Sequence, residues 1–374
     1  MNRRSWLKLA GCTAAVTATA EGWVAHGAAP DPLGTDGGHI NLAGNENPFG
    51  PSPAVVRAIV AAAPFACRYP FREEQALKDL LAEKEGVGTE NIVLGNGCDE
   101  LLALAATAFL DAKRSLVAAE PTYFQLIDYA KKLGAEIRGI PVRSGMQHDL
   151  RRMEQAVDNS PGLVYLCNPD NPSGTQCEAG HIEGFCREVA PRCPVFVDEV
   201  YLELSEAFAA ETQVKLVREG LPVMVGRSFS KMYGLAGQRI GYVVTTAPLA
   251  QELSKWMMSS VNYLGVAAAR AALGDSGFSN WSVRKIRDGR SRLYAVLDEL
   301  GLEYIPSVGN FVFHRIGAYR VQEYQAAMKA RGLLVGWPHE PARGYEGWCR
   351  TSIGTEREMA LCHAAMREVL RTTG

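Results

Sequence analysis

Seven short apolar runs, near 92–94, 115–119, 135–140, 163–167, 195–198, 222–227 and 239–245, alternate with stretches whose apolar residues recur at helical spacing. Runs of strand length, each followed by a helix-length segment, predict a mainly parallel seven-stranded sheet covered by helices on both faces, an α/β architecture. Upstream, Ser52-Pro53 predicts a helix reaching about residue 63, because serine caps helices and proline suits the first helical position. Beyond about residue 280 the pattern changes. A long charged helix over 283–300, short strands near 303–305, 310–314, 333–335 and 349–353, and a final helix from about 356 predict a smaller α+β unit. The chain thus divides into a leader (1–30), an N-terminal arm and linker that completes the smaller unit (31–71), a large α/β domain (72–278) and a small C-terminal domain (279–374).

Composition narrows what such a chain does. At 374 residues and 47% hydrophobic, it carries enough apolar material for a large core in two domains. A formal charge of -2, without a basic stripe interleaved with aromatics, argues against a nucleic-acid partner. No apolar run reaches the roughly 18 residues of a membrane span. Nine cysteines contain no Cys-x-x-Cys pair and seven histidines no cluster, so no metal site is expected. The first residues stand apart. Asn2-Arg3-Arg4-Ser5-Trp6-Leu7-Lys8, then a small-residue stretch ending in Ala18-Thr19-Ala20, resembles a twin-arginine export signal with its cleavage site. Export to the periplasm is the expectation, and a cytoplasmic location the alternative.

The chemistry gathers at the ends of the expected strands, where open α/β sheets bind ligands. Ser228-Phe229-Ser230-Lys231 ends one apolar run, and Gly234-Leu235-Ala236-Gly237-Gln238-Arg239 follows it. A lysine can form a Schiff base with an aldehyde, while hydroxyls and a guanidinium can hold phosphate oxygens. Gly95-Asn96-Gly97-Cys98-Asp99-Glu100 joins the run 92–94 to a helical pattern. A helix start placed there directs unpaired N–H groups at a ligand. The spacing also resembles half a dinucleotide fingerprint, but Glu100 stands where the third glycine belongs. Pro121-Thr122-Tyr123, Asn168-Pro169-Asp170-Asn171-Pro172-Ser173-Gly174-Thr175 and Val197-Asp198-Glu199-Val200-Tyr201 each follow or end a further run.

Taken in order, these segments resemble fold-type I enzymes dependent on pyridoxal phosphate (PLP), of aminotransferase class I/II, and most closely the histidinol-phosphate aminotransferase-like branch. The similarity runs from about 41 to 370. It includes Asn41-Leu42-Ala43-Gly44-Asn45-Glu46-Asn47-Pro48-Phe49 in the arm, Arg68-Tyr69-Pro70, and Trp348-Cys349-Arg350-Thr351-Ser352-Ile353-Gly354. The resemblance implies Lys231 as the amine that attaches the cofactor and then moves a proton. It implies Asp198 facing the pyridine nitrogen, Tyr201 and Asn171 on the phenolic oxygen, and Tyr123 stacked on the ring. Gly97, Cys98, Asp99, Ser228, Ser230 and Arg239 would hold the phosphate, joined by Tyr69 of a neighbouring subunit in a homodimer. Arg350 would bind the substrate carboxylate, with Asn171, Phe49 and Trp337 shaping the rest of the pocket.

The implied activity is transfer of an amino group from an α-amino acid to a 2-oxo acid. The alternatives are histidinol-phosphate transamination, another PLP reaction such as decarboxylation, elimination or oxidation, and a periplasmic protein that only binds PLP or amino acids. One departure bears on substrate. Where histidinol-phosphate enzymes carry an arginine for the substrate phosphate, this chain has Gly336-Trp337-Pro338.

Overall fold

The structure, a computed structural model, describes residues 35–36, 38–157, 161–336 and 345–371. The expected leader (1–30) and Trp337 lie outside them. The arm enters as β1 (Thr35–Asp36) and β2 (His39–Leu42). The large domain then supplies β3 (Ile92–Gly95), β4 (Ser115–Glu120), β5 (Glu136–Pro141), β6 (Pro161–Cys167), β7 (Val195–Asp198), β8 (Val223–Ser228) and β9 (Gly241–Val244). The C-terminal part adds β10 (Tyr304–Ile305), β11 (Phe311–Arg315), β12 (Leu333–Val335) and β13 (Trp348–Ser352).

Among the described residues, β3 to β9 form one sheet in the order β3-β9-β8-β7-β6-β4-β5. The contacts β5–β4, β4–β6, β6–β7 and β7–β8 are parallel, whereas β9 runs antiparallel to both β8 and β3. The sheet is therefore mixed and mostly parallel. Its strands alternate between two cores: Val195 and Val197 join one hydrophobic cluster and Phe196 the other. Burial of both faces explains why the runs other than the half-exposed edge strand β5 read as mostly apolar.

The small unit contains two sheets, β10-β11-β13 and β1-β2-β12. Parallel pairing of β12 with β2 builds the arm into this unit, and Leu42 packs in its core with Leu297, Val312 and Leu333. Helix Pro53–Ala62 starts at the expected serine, whose Oγ accepts from Val55 N at 3.3 Å. The long charged helix begins earlier than the expected 283, spanning Ser276–Glu299. Asp275 provides the start, its carboxylate accepting from Phe278 N at 3.1 Å.

Candidate active site

The carboxyl ends of the central strands, the arm and β13 enclose a cleft of about 460 Å³. One end is built on helix Cys98–Phe109, which follows β3 through Gly95-Asn96-Gly97. Gly97 has φ 87°, which favours glycine, and a Cβ on it would lie 2.1 Å from the Arg239 guanidinium and push it aside. No side chain caps this helix, which leaves its first-turn N–H groups to a ligand. Gly241 lets the neighbouring strand pass close to the same turn, since a Cβ there would sit 3.1 Å from Cys98 N. Arg239 lies 3.3 Å from Asp99 Oδ2, and Ser228 and Ser230 line the same cleft. Ser228 Oγ also accepts from Ser230 N at 3.1 Å, which fixes the turn before Lys231.

In the middle of the cleft, Asp198 ends β7. Its Oδ1 accepts from Val200 N at 3.2 Å and its Oδ2 from the Tyr165 hydroxyl at 3.0 Å. Burial pushes its carboxyl up to about 7, against the pull of these two hydrogen bonds. Tyr123 lines the cleft and donates to Asp99 Oδ1 at 2.9 Å. Burial and the adjacent carboxylates hold the thiols of Cys98 and Cys167, which line the floor, well above their usual range. Lys231 is brought down to about 8, first by burial and then by the positive charge of Arg350. Its Nζ donates to Asn45 O at 3.0 Å and stands 5.3 Å from the centre of the Tyr201 ring.

The other end is made by β13 and the arm. Arg350 is buried and donates to Asn171 Oδ1 at 2.7 Å and to the carbonyl of Ala43; burial lowers it to about 10. Asn171 Nδ2 donates to the Tyr201 hydroxyl at 3.4 Å, and Asn45 Nδ2 to the same oxygen at 3.0 Å. Asn45 has φ 51°, a left-handed conformation that asparagine tolerates better than most residues.

One expected pocket residue sits elsewhere. Phe49 does not line the cleft. It packs with Tyr201, Ile286 and Phe311 and lies edge-on to Trp281 at 5.0 Å, because Asn47 ties the arm down. That asparagine donates to Lys231 O at 3.0 Å, Met232 O at 2.9 Å and Ser282 Oγ at 2.8 Å, turning the following residues into this cluster. Tyr69 is 77% exposed and stacks on Phe71 at 5.6 Å, outside this chain's cleft. Conversely, Asn45 and Tyr165 were not expected at the site. For the first, the local signals are its place in the arm segment 41–49 and the left-handed preference of asparagine; nothing local marks the second.

The aminotransferase class I and II family model matches residues 38–365, and the chain belongs to that family. The histidinol-phosphate aminotransferases of Moorella thermoacetica and Halalkalibacterium halodurans are each 35% identical to it over 333 residues. These alignments cover 88% of this chain and 85% and 89% of those proteins. A putative histidinol-phosphate aminotransferase from Erwinia carotovora atroseptica superposes with a TM-score of 0.85 at 31% identity, covering 90% of this chain and 97% of that one. The histidinol-phosphate aminotransferase of Sinorhizobium meliloti, solved in complex with pyridoxal-5'-phosphate, gives 0.82 at 30% identity, covering 89% and 91%. This protein is a PLP-dependent aminotransferase, related to the histidinol-phosphate aminotransferases.

The site fits that cofactor on its own geometry. The glycine-lined, uncapped helix start beside Arg239 suits a phosphate, and a buried acid and a buried lysine line the space next to it. When bound, PLP supplies an aldehyde that condenses with amines and a ring that withdraws electrons from the substrate's Cα.

Proposed function

We propose that this enzyme moves the amino group of an α-amino acid to a 2-oxo acid, with Arg350 holding the carboxylate of each in turn. The observation that carries this reading is the buried guanidinium of Arg350, which lines the same cleft as Lys231 and Asp198 and donates to Asn171 Oδ1 at 2.7 Å. A guanidinium binds a planar carboxylate through two parallel hydrogen bonds. Lys231, brought down to about 8, gives up its proton far more readily than a surface lysine. That suits an amine which attaches the cofactor and, once released, carries the proton at the substrate's Cα. With PLP bound, Asp198 would serve the ring nitrogen, Tyr201 and Asn171 the phenolic oxygen, and Tyr123 the ring face, all four lining the cleft. The first turn of helix Cys98–Phe109 holds the phosphate with Ser228, Ser230 and Arg239.

Histidinol phosphate as donor is the second reading, favoured by the identity to the relatives of that name. Against it, position 336, where those enzymes carry an arginine for the substrate phosphate, is glycine at φ 101° and offers no side-chain donor. Comparing kcat/KM for histidinol phosphate with that for aromatic and aliphatic α-amino acids decides between them. A preference for histidinol phosphate of about tenfold or more, worth about 1.4 kcal/mol, overturns the first reading.

Two further proposals concern assembly and location. Val60, Phe65, Tyr69 and Phe71 are large apolar side chains left more than half exposed on adjoining segments. They support a two-fold dimer in which Tyr69 reaches the partner's phosphate site, and a monomeric mass by light scattering would refute it. The twin-arginine-like segment 2–8, outside the described residues, supports export. Finding the full-length chain in the cytoplasmic fraction alone would refute that.

A further inference from the structure

We propose that Tyr165 is a positioning residue for the cofactor, fixing the Asp198 carboxylate toward the ring nitrogen from the neighbouring strand. The proposal rests on the reading that Asp198 faces that nitrogen. In the parallel pair β6–β7, Tyr165 lies opposite Phe196 and Cys167 opposite Asp198. Partners directly opposite share a sheet face, and so do residues two apart, so all four side chains stand on one side of the sheet. The tyrosine ring therefore lies behind the carboxylate, packed on Phe196 at 6.3 Å between centres, and its hydroxyl reaches forward to Asp198 Oδ2 at 3.0 Å.

The surroundings make this hydroxyl hard to explain otherwise. Tyr165 has no solvent exposure and sits in a cluster with Leu163, Phe196 and Met224, where a phenylalanine would pack without a polar atom to satisfy. Its hydroxyl donates to Asp198. Burial, and then Asp198 itself, hold the phenol well above its usual range, so it keeps the proton it donates. With Oδ1 held by Val200 N–H and Oδ2 by Tyr165, the carboxylate has one orientation, and both bonds pull toward its charged form against the cost of burial. That charged form is the one a protonated ring nitrogen requires.

The test measures binding rather than turnover. Apoprotein of the wild type and of Tyr165→Phe is titrated with PLP and with its 1-deaza analogue, which has C–H in place of the ring nitrogen. The wild type should prefer PLP. Tyr165→Phe should weaken PLP about tenfold, the scale of one hydrogen bond to a charged group, and leave the analogue within about twofold. Retained analogue binding also shows that the variant is folded. Equal weakening of both ligands would mean that the hydroxyl serves packing only, and unchanged PLP binding would mean that it serves nothing at this site; either overturns the proposal. Equal affinity of the wild type for the two ligands removes Asp198 from the ring nitrogen, and the proposal falls with its premise.

Discussion

Asp198→Asn should make the apoprotein more stable at neutral pH while impairing the enzyme. Burial raises this carboxyl from an ordinary 3.8 to about 7. The unfolded chain therefore gives up the proton near pH 4, whereas the folded chain holds it until about pH 7. Across that window the unfolded state binds fewer protons, so stability falls as pH rises, by about 1.4 kcal/mol per pH unit, and stays level above pH 7. Over about three units the accumulated cost is on the order of 4 kcal/mol, a large share of the 5–15 kcal/mol typical of a folded domain. Asparagine removes the ionisation and keeps the contacts: its oxygen can accept from Val200 N–H and its amide can donate to the Tyr165 hydroxyl. Urea unfolding of both apoproteins at pH 5 and pH 8, at one fixed protein concentration, reads the difference. The variant's advantage should widen by roughly 3 kcal/mol between the two pH values. An advantage that is constant or shrinks with pH would refute the assignment of the buried charge.

Two other substitutions probe neighbouring parts of the site. Lys231→Ala should abolish turnover yet leave a folded protein that binds PLP noncovalently, because the helix start and Asp198 remain; borohydride treatment followed by mass spectrometry should find no cofactor attached, and an adduct on another lysine would move the anchor. Gly97→Ala places a Cβ 2.1 Å from a guanidinium that can swing away, so the damage should fall on the ligand more than on the fold. PLP affinity should drop at least about tenfold through displacement of Arg239, while the left-handed φ costs the fold about 1–3 kcal/mol in urea unfolding.

How far the sequence carries differs by element. All seven strands of the large sheet are legible: six are buried almost throughout and so read as apolar runs that stop where turn residues begin, while β5, half-exposed at the sheet edge, shows only Ile137 and Ile140 in a mixed run. The reversed direction of β9 is not legible, since an apolar run is the same read either way. The start of helix Ser276–Glu299 was readable in principle at Asp275, but the apolar periodicity is weak there and strengthens only further along. Phe49 went to the wrong place because its position depends on where Asn47 anchors the arm, and those partners are at 231, 232 and 282.

The site divides along the same line. Lys231, Asp198, Asn171 and Arg350 each stand in a local motif with a chemical meaning of its own, and the cleft brings all four together. Tyr165 has no such motif: within Leu163-Val164-Tyr165-Leu166-Cys167 it reads as one more core residue. Its link to Asp198 exists only because β6 lies beside β7 in a register that pairs Cys167 with Asp198. Sliding that register by one residue would turn the hydroxyl to the opposite face and leave Asp198 Oδ2 without its donor. Local sequence therefore marks the groups that meet the ligand, while the strand order supplies the group that aims one of them. A second sheet with the same motifs and a different neighbour for β7 would hold the same Asp198 at a different charge.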